Sequence, residues 1–133
     1  MDSAFEYIRD KGITTESDYP YKGKDQACAK NGGDLKLTGF VDIDAGNTNA
    51  LANAINERPI SVAVDASNWS RYTGGVFNNC GTGLNHGVLL VGFVDDIWII
   101  KNSWGSRWGE NGFMRLAGGN TCGIALAASY PTL

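Results

Sequence analysis

The stretch that most constrains the fold is Gly87-Val88-Leu89-Leu90-Val91-Gly92-Phe93, then Val94-Asp95-Asp96, then Ile97-Trp98-Ile99-Ile100-Lys101-Asn102. Two runs rich in β-branched and aromatic residues, separated by so short a link, read as an antiparallel hairpin. Opposed residue numbers in such a pair sum to a constant, about 188–190 for a turn centred near position 94 or 95. His86, the only histidine, then lies opposite residues 102–104 and beside Asn102. A side-chain amide can accept the proton of one imidazole nitrogen and leave the other facing a nucleophile, fixing tautomer and ring direction. Trp104, two residues on, is placed to cover the pair and exclude water. Position alone also admits a structural histidine at a strand start.

The rest of the chain divides around this hairpin. Met1, Ala4, Phe5 and Ile8 share one face of a helix over Met1–Lys11, and Gly12 is placed to stop it. Thr14–Gly39 is polar, carries Tyr19-Pro20-Tyr21 and Gly32-Gly33, and reads as irregular chain. A second helix fits Thr48–Glu57, capped by Asn47 or Thr48, with Leu51, Ala54 and Ile55 as its apolar stripe and Pro59 beyond its end. Ile60–Asp65 alternates with period two, placing Ile60, Val62 and Val64 on one face of a strand. Further strands are expected at Gly75–Phe77, Gly112–Leu116 and near Ile124–Ser129. A boundary near Thr38-Gly39 separates the helix-and-loop part from a β-rich body.

Composition narrows the function classes. Apolar residues at 43% can build an ordinary core, and Lys plus Arg number 11 against 14 Asp plus Glu, a net charge of -3. A weakly acidic chain without a Lys/Arg cluster lacks the electrostatic footprint of a nucleic-acid binder. The apolar runs are too short to span a bilayer, and the opening Met1-Asp2-Ser3 does not read as a secretory leader. One histidine and three scattered cysteines offer no metal-site spacing, so neither a metal nor another cofactor is expected. An odd cysteine count leaves at least one thiol without a partner inside the chain.

Leu84-Asn85-His86-Gly87-Val88, with Trp98-Ile99-Ile100-Lys101-Asn102-Ser103-Trp104-Gly105 and Trp108-Gly109, resembles the His and Asn blocks of papain-family cysteine proteases. Cys122-Gly123-Ile124-Ala125 and Ala128-Ser129-Tyr130-Pro131 resemble the family's ending, nearest the cathepsin L-like branch. Asp18-Tyr19-Pro20-Tyr21 and Pro59-Ile60-Ser61-Val62-Ala63 match as well, so the resemblance runs in order from Met1 to Leu133. It implies an α+β fold in which 39–133 forms a papain-like right domain, an antiparallel, barrel-like sheet with short helices. Residues 1–38 would be the remaining helix and loop of the left domain. It also implies His86 as general base, Asn102 as its orienting residue, and Trp104 as the shield of their bond. Trp104 and Trp108 would line the leaving-group side, and Met1, Ala63, Leu84 and Ala127 the main apolar specificity pocket.

The same resemblance pairs Cys80 with Cys122 and leaves Cys28 facing a partner outside the chain. The family's nucleophile sits in a Cys-Gly-Ser-Cys-Trp-type block well upstream of the His and Asn, and these 133 residues contain no such block. Gln26-Ala27-Cys28 shares a start with the caspase block, but Ala29-Lys30 follows and no histidine lies upstream. The expectation is therefore the His/Asn-bearing part of a cysteine endopeptidase, inactive alone. Its expected partners are a peptide or protein substrate, the missing N-terminal catalytic segment or chain, and a pro-segment or inhibitor. A lysosomal, vacuolar or secreted location is implied too. The alternative is a non-catalytic papain-like protein with a binding or structural role. Asn68-Trp69-Ser70 also carries an N-glycosylation pattern.

Overall fold

Alternation of apolar and polar residues sets the centre of the fold. In the computed structural model, which describes all 133 residues, Ile60, Val62 and Val64 are fully buried on one face of β2 (Ile60–Val64). Each such side chain contributes roughly 1.5–3 kcal/mol by leaving water. The other elements are α1 (Asp2–Lys11), β1 (Gly39–Ile43), α2 (Thr48–Ile55), β3 (Val76–Phe77) and β4 (His86–Val94), then β5 (Ile97–Lys101), β6 (Phe113–Ala117) and β7 (Ala128–Thr132). They make one seven-stranded sheet in the order β1-β7-β2-β4-β5-β6-β3, an α+β architecture.

The expected antiparallel, barrel-like sheet needs correction on both counts. β3 runs parallel to β6, pairing Val76 with Arg115 and Phe77 with Leu116, so the sheet is mixed. It is also open, with β1 and β3 at opposite edges. Closure requires edge strands long and staggered enough to meet, and β3 is only two residues long.

The hairpin turns on Asp95 and Asp96, both at positive φ (50° and 60°), the geometry of a two-residue turn that matches strand twist. Val94 opposes Ile97, a sum of 191, and Leu90 opposes Ile100, a sum of 190. A bulge between Leu90 and Gly92 makes the one-residue change.

The final strand begins at Ala128 instead of near Ile124, because Thr121–Gly123 forms a 3-10 turn. Cys122 and Gly123 both hold positive φ (54° and 72°), which extended pairing does not allow. α2 ends at Ile55, two residues short of the expected span, and Asn47 caps it by accepting from the Ala50 N–H.

The chain forms two compact units, Met1–Val41 with Pro131–Leu133, and Asp42–Tyr130. In the smaller, α1 stops at Gly12, whose φ of 79° needs glycine and whose Cβ position is already occupied by the Gly33 carbonyl. Ile13 bridges Leu35 and the Phe5 and Phe40 rings stack at 5.8 Å. No residue of α1 is buried. In the larger unit, Leu51, Leu90, Trp98, Ile100, Met114, Leu116 and Ile124 join the β2 face in one core.

A charged clamp holds the β3 edge of the larger unit. Glu110 accepts from both Nε and a terminal nitrogen of Arg115, the latter at 2.6 Å, and from the Gly75 N–H at 3.0 Å. The Arg115 bonds first, and the Gly75 bond second, lower the Glu110 carboxyl from 4.5 to about 2. A depressed folded-state value stabilises above the unfolded one, and that stability is lost as pH falls through the folded one. The contribution should thus be complete above about pH 4.5 and vanish toward pH 2. Side-chain exposures of 46% for Arg115 and 31% for Glu110 hold its size to about 1 kcal/mol. Urea midpoints between these pH values should fall more steeply for the wild type than for Glu110→Gln. Parallel curves would remove the clamp from the acid response.

Candidate active site

His86 opens β4 and is fixed by pairing with Val64 of β2. Asn102 follows β5 directly, its N–H donating to the Gly112 carbonyl at 3.0 Å. Hairpin register therefore delivers both side chains to the same end of the sheet. His86 Nε2 lies 2.8 Å from Asn102 Oδ1. The same oxygen accepts the Ser103 backbone N–H at 2.8 Å, which orients the amide so that its oxygen, not its NH2, meets the ring. An amide oxygen only accepts, so Nε2 carries hydrogen and Nδ1 is the basic nitrogen of the neutral ring. Asn102 Nδ2 is buried with no hydrogen-bond partner.

Aromatic rings enclose the imidazole. Trp104 lies 5.0 Å from it, tilted by 30°, and Trp108 meets Trp104 edge-on at 5.2 Å. Trp104 is 42% exposed, so it screens the ring from one side while remaining open to a ligand. The other neighbour is Trp69, edge-on to His86 at 6.2 Å and fully buried. Trp69 also stacks near Trp108 and its carbonyl accepts the Trp108 indole N–H at 3.1 Å. Sequence reasoning saw Trp69 only inside the glycosylation pattern; nothing in its local sequence ties it to a histidine 17 positions away. Asn68 is exposed and donates its amide to the Asn79 carbonyl.

Of the four residues expected to line the pocket, three belong to this unit. The Ala63 N–H donates to the Ala127 carbonyl at 2.9 Å, so these two small side chains are neighbours. Leu84 reaches over Gly123, where any Cβ would lie 2.8 Å from Leu84 Cδ2 and 3.2 Å from Leu126 Cδ1. Leu126, not singled out from sequence, therefore converges with Leu84. Met1 belongs to the smaller unit and is exposed.

Cys80 and Cys122 form a disulfide with Cα atoms 5.2 Å apart. Neither cysteine of the larger unit is thus available as a thiol. Cys28, in the smaller unit, is free and exposed, its thiol donating to the Lys30 carbonyl. No three His, Cys, Asp or Glu side chains group to hold a metal ion, and no helix is long and apolar enough to cross a membrane. The larger unit can accept and return a proton at an oriented imidazole, beside a partly apolar surface.

Comparison with known proteins adds an independent line. The sequence profile described as papain family cysteine protease matches residues 1–132. Cathepsin L 2 of Paramecium tetraurelia is 52% identical over 139 residues, covering 100% of this chain and 43% of that protein. Among solved structures, digestive procathepsin L 3 of the Tenebrio molitor larval midgut superposes with a TM-score of 0.91 at 46% identity. That match covers 100% of this chain and 48% of the other. The Amb a 11 cysteine protease, a major ragweed pollen allergen solved in its proform, has a TM-score of 0.91 at 34% identity, covering 100% of this chain and 45% of that one. The chain spans less than half the length of each of these proteins.

Proposed function

Because the chain belongs to the papain family of cysteine proteases, we propose that it supplies the imidazole and orienting amide of a thiol-dependent endopeptidase, whose nucleophilic cysteine comes from outside these 133 residues. The observation that carries the reading is the 2.8 Å bond between His86 Nε2 and Asn102 Oδ1, which leaves Nδ1 as the free base. That nitrogen takes the proton of the nucleophilic thiol, and the thiolate attacks the peptide carbonyl carbon. The imidazolium then protonates the leaving amine as the C–N bond breaks. Water, deprotonated by the same nitrogen, releases the acyl group and regenerates the thiol. Trp104 shields the His86–Asn102 bond, and with Trp108 it flanks the leaving amine. Ala63, Leu84 and Ala127 take the second residue before the cut.

In this reading residues 1–38 are the end of the family's left domain and 39–133 its right domain. Cys28 pairs with a cysteine of the upstream segment. A pro-segment or inhibitor covers the cleft; two of the similar structures are of a procathepsin L and of a cysteine protease in its proform. A lysosomal, vacuolar or secreted setting fits a domain held by a disulfide. The alternative is a non-catalytic papain-like protein with a binding or structural role.

Complementation decides between the two. The chain alone should not hydrolyse fluorogenic peptides above background, since an imidazole without a positioned nucleophile and oxyanion donors lacks most of the rate. Adding a family N-terminal segment bearing the Cys-Gly-Ser-Cys-Trp block should restore turnover that a thiol-alkylating reagent abolishes. Leu or Phe should be preferred at the second position before the cut, because an apolar pocket disfavours a charged side chain by desolvation. Alkylation-sensitive turnover by the chain alone would assign the nucleophile to one of its own cysteines. Failure of every complemented form would favour the non-catalytic alternative.

A further inference from the structure

Asp65 is the only charged residue buried in the structure, 7% exposed, and it makes no ion pair. A carboxylate in that position has to be held by hydrogen bonds. It accepts from Ser67 Oγ at 2.6 Å, from the Ser67 N–H at 3.0 Å and from the Gly81 N–H at 2.9 Å. These donors, the Ser67 hydroxyl foremost, keep the carboxyl below its ordinary range. It therefore acts purely as an acceptor. A Cβ at Gly81 would lie 3.0 Å from Asp65 Oδ2, so a side chain there would crowd the carboxylate.

These bonds tie the end of β2 to the segment that leads into His86. Ser67 Oγ accepts from Asn85 Nδ2 at 2.9 Å, and Asn85 Oδ1 accepts from the Ala66 N–H at 2.9 Å. The Asp65 N–H donates to the Cys122 carbonyl at 2.8 Å, so the same residue also holds the turn on which Leu84 rests over Gly123. Asp65 touches no part of the reacting constellation itself. It joins its three supports: β2, the Gly81–Asn85 segment and the Cys122–Gly123 turn.

We infer that Asp65 is a positioning residue for specificity: by anchoring the Gly81–Leu84 loop it places the Leu84 wall of the apolar pocket and so sets which side chain the pocket accepts. The inference rests on the protease reading for its consequence in turnover, but not for its structural core. Asn at this position still accepts from Ser67, yet its NH2 cannot accept from Gly81. In the chain by itself, Asp65→Asn should lower hydrogen-exchange protection of the Gly81 amide about tenfold, the scale of losing a charge-assisted bond. Protection at Leu90 and Ile100 in the core should stay unchanged, and the Leu84 methyl–Gly123 NOE should weaken. Ser67→Ala, which keeps the charge and removes one donor, should move the same signals less.

In the complemented enzyme, Asp65→Asn should raise KM for a Leu substrate about fivefold with kcat nearly constant, and reduce the Leu-over-Ala preference by a similar factor. A purely structural role would leave that preference intact. Unchanged Gly81 protection, or lost protection with unchanged preference, would overturn the inference. Lack of turnover in every complemented form, wild type included, would discard the protease reading alone. Exchange and the NOE, read on the chain by itself, would still decide whether Asp65 positions Leu84.

Discussion

In the complemented enzyme, replacing His86 by alanine should lower kcat/KM by about 10²–10⁴-fold, the usual contribution of a positioned proton-transfer group. His86 is the only imidazole, so no neighbouring ring can take over. The loss should fall mainly on kcat, because Ala63, Leu84 and Ala127, the proposed pocket residues, remain untouched. Asn102→Ala should cost less, since it frees the ring to adopt the wrong tautomer without removing the base. It should still lower kcat more than KM. His86 is half-buried at a strand start, so the melting temperature of the His86→Ala chain should barely move. Turnover retained within about threefold, with the fold intact, would remove the imidazole from the chemistry.

Removing the disulfide should be the largest single stability change. Replacing Cys80 and Cys122 together by serine opens a loop of sequence separation 42. Chain entropy then predicts a loss of about 4 kcal/mol, an upper figure that assumes no strain in the native bond. The bond also secures the base of the turn under Leu84. Reduction should therefore loosen the pocket before it melts the Leu90–Ile100 core. Urea unfolding of the double serine variant with and without reductant checks the magnitude, and reductant should change only the wild type. Peptide mapping without reduction should find Cys80 linked to Cys122. A midpoint indistinguishable from wild type would mean that the packed core alone holds the larger unit together.

Much of the site's neighbourhood was legible in the sequence because it depends on local periodicity. A strand repeats every two residues, so Ile60, Val62 and Val64 had to share a face. A tight turn pins register, so His86 had to lie near Asn102 once the hairpin was recognised. Even there the bulge between Leu90 and Gly92 has only Gly92 as its local mark, and a glycine inside a strand does not by itself say that the register shifts. The final strand was placed too early for a related reason. Ile124 and Ala125 are buried and look like strand residues, but the disulfide and the left-handed backbone at Cys122 and Gly123 turn them into a loop.

The sequence by itself determined the two helices, the hairpin, the buried face of β2 and the adjacency of imidazole and amide. Each follows from contacts within a few residues or across one short turn. Only the tertiary structure decided that β3 lies parallel at an open edge. It alone set Trp69 against the imidazole, brought Leu126 to Leu84, and bonded Asp65 to both Gly81 and Cys122. Those arrangements connect residues 15 to 60 positions apart, where side-chain pattern carries no register. They are decided by how the core packs and by where a buried carboxylate can find enough N–H and O–H donors to stay charged.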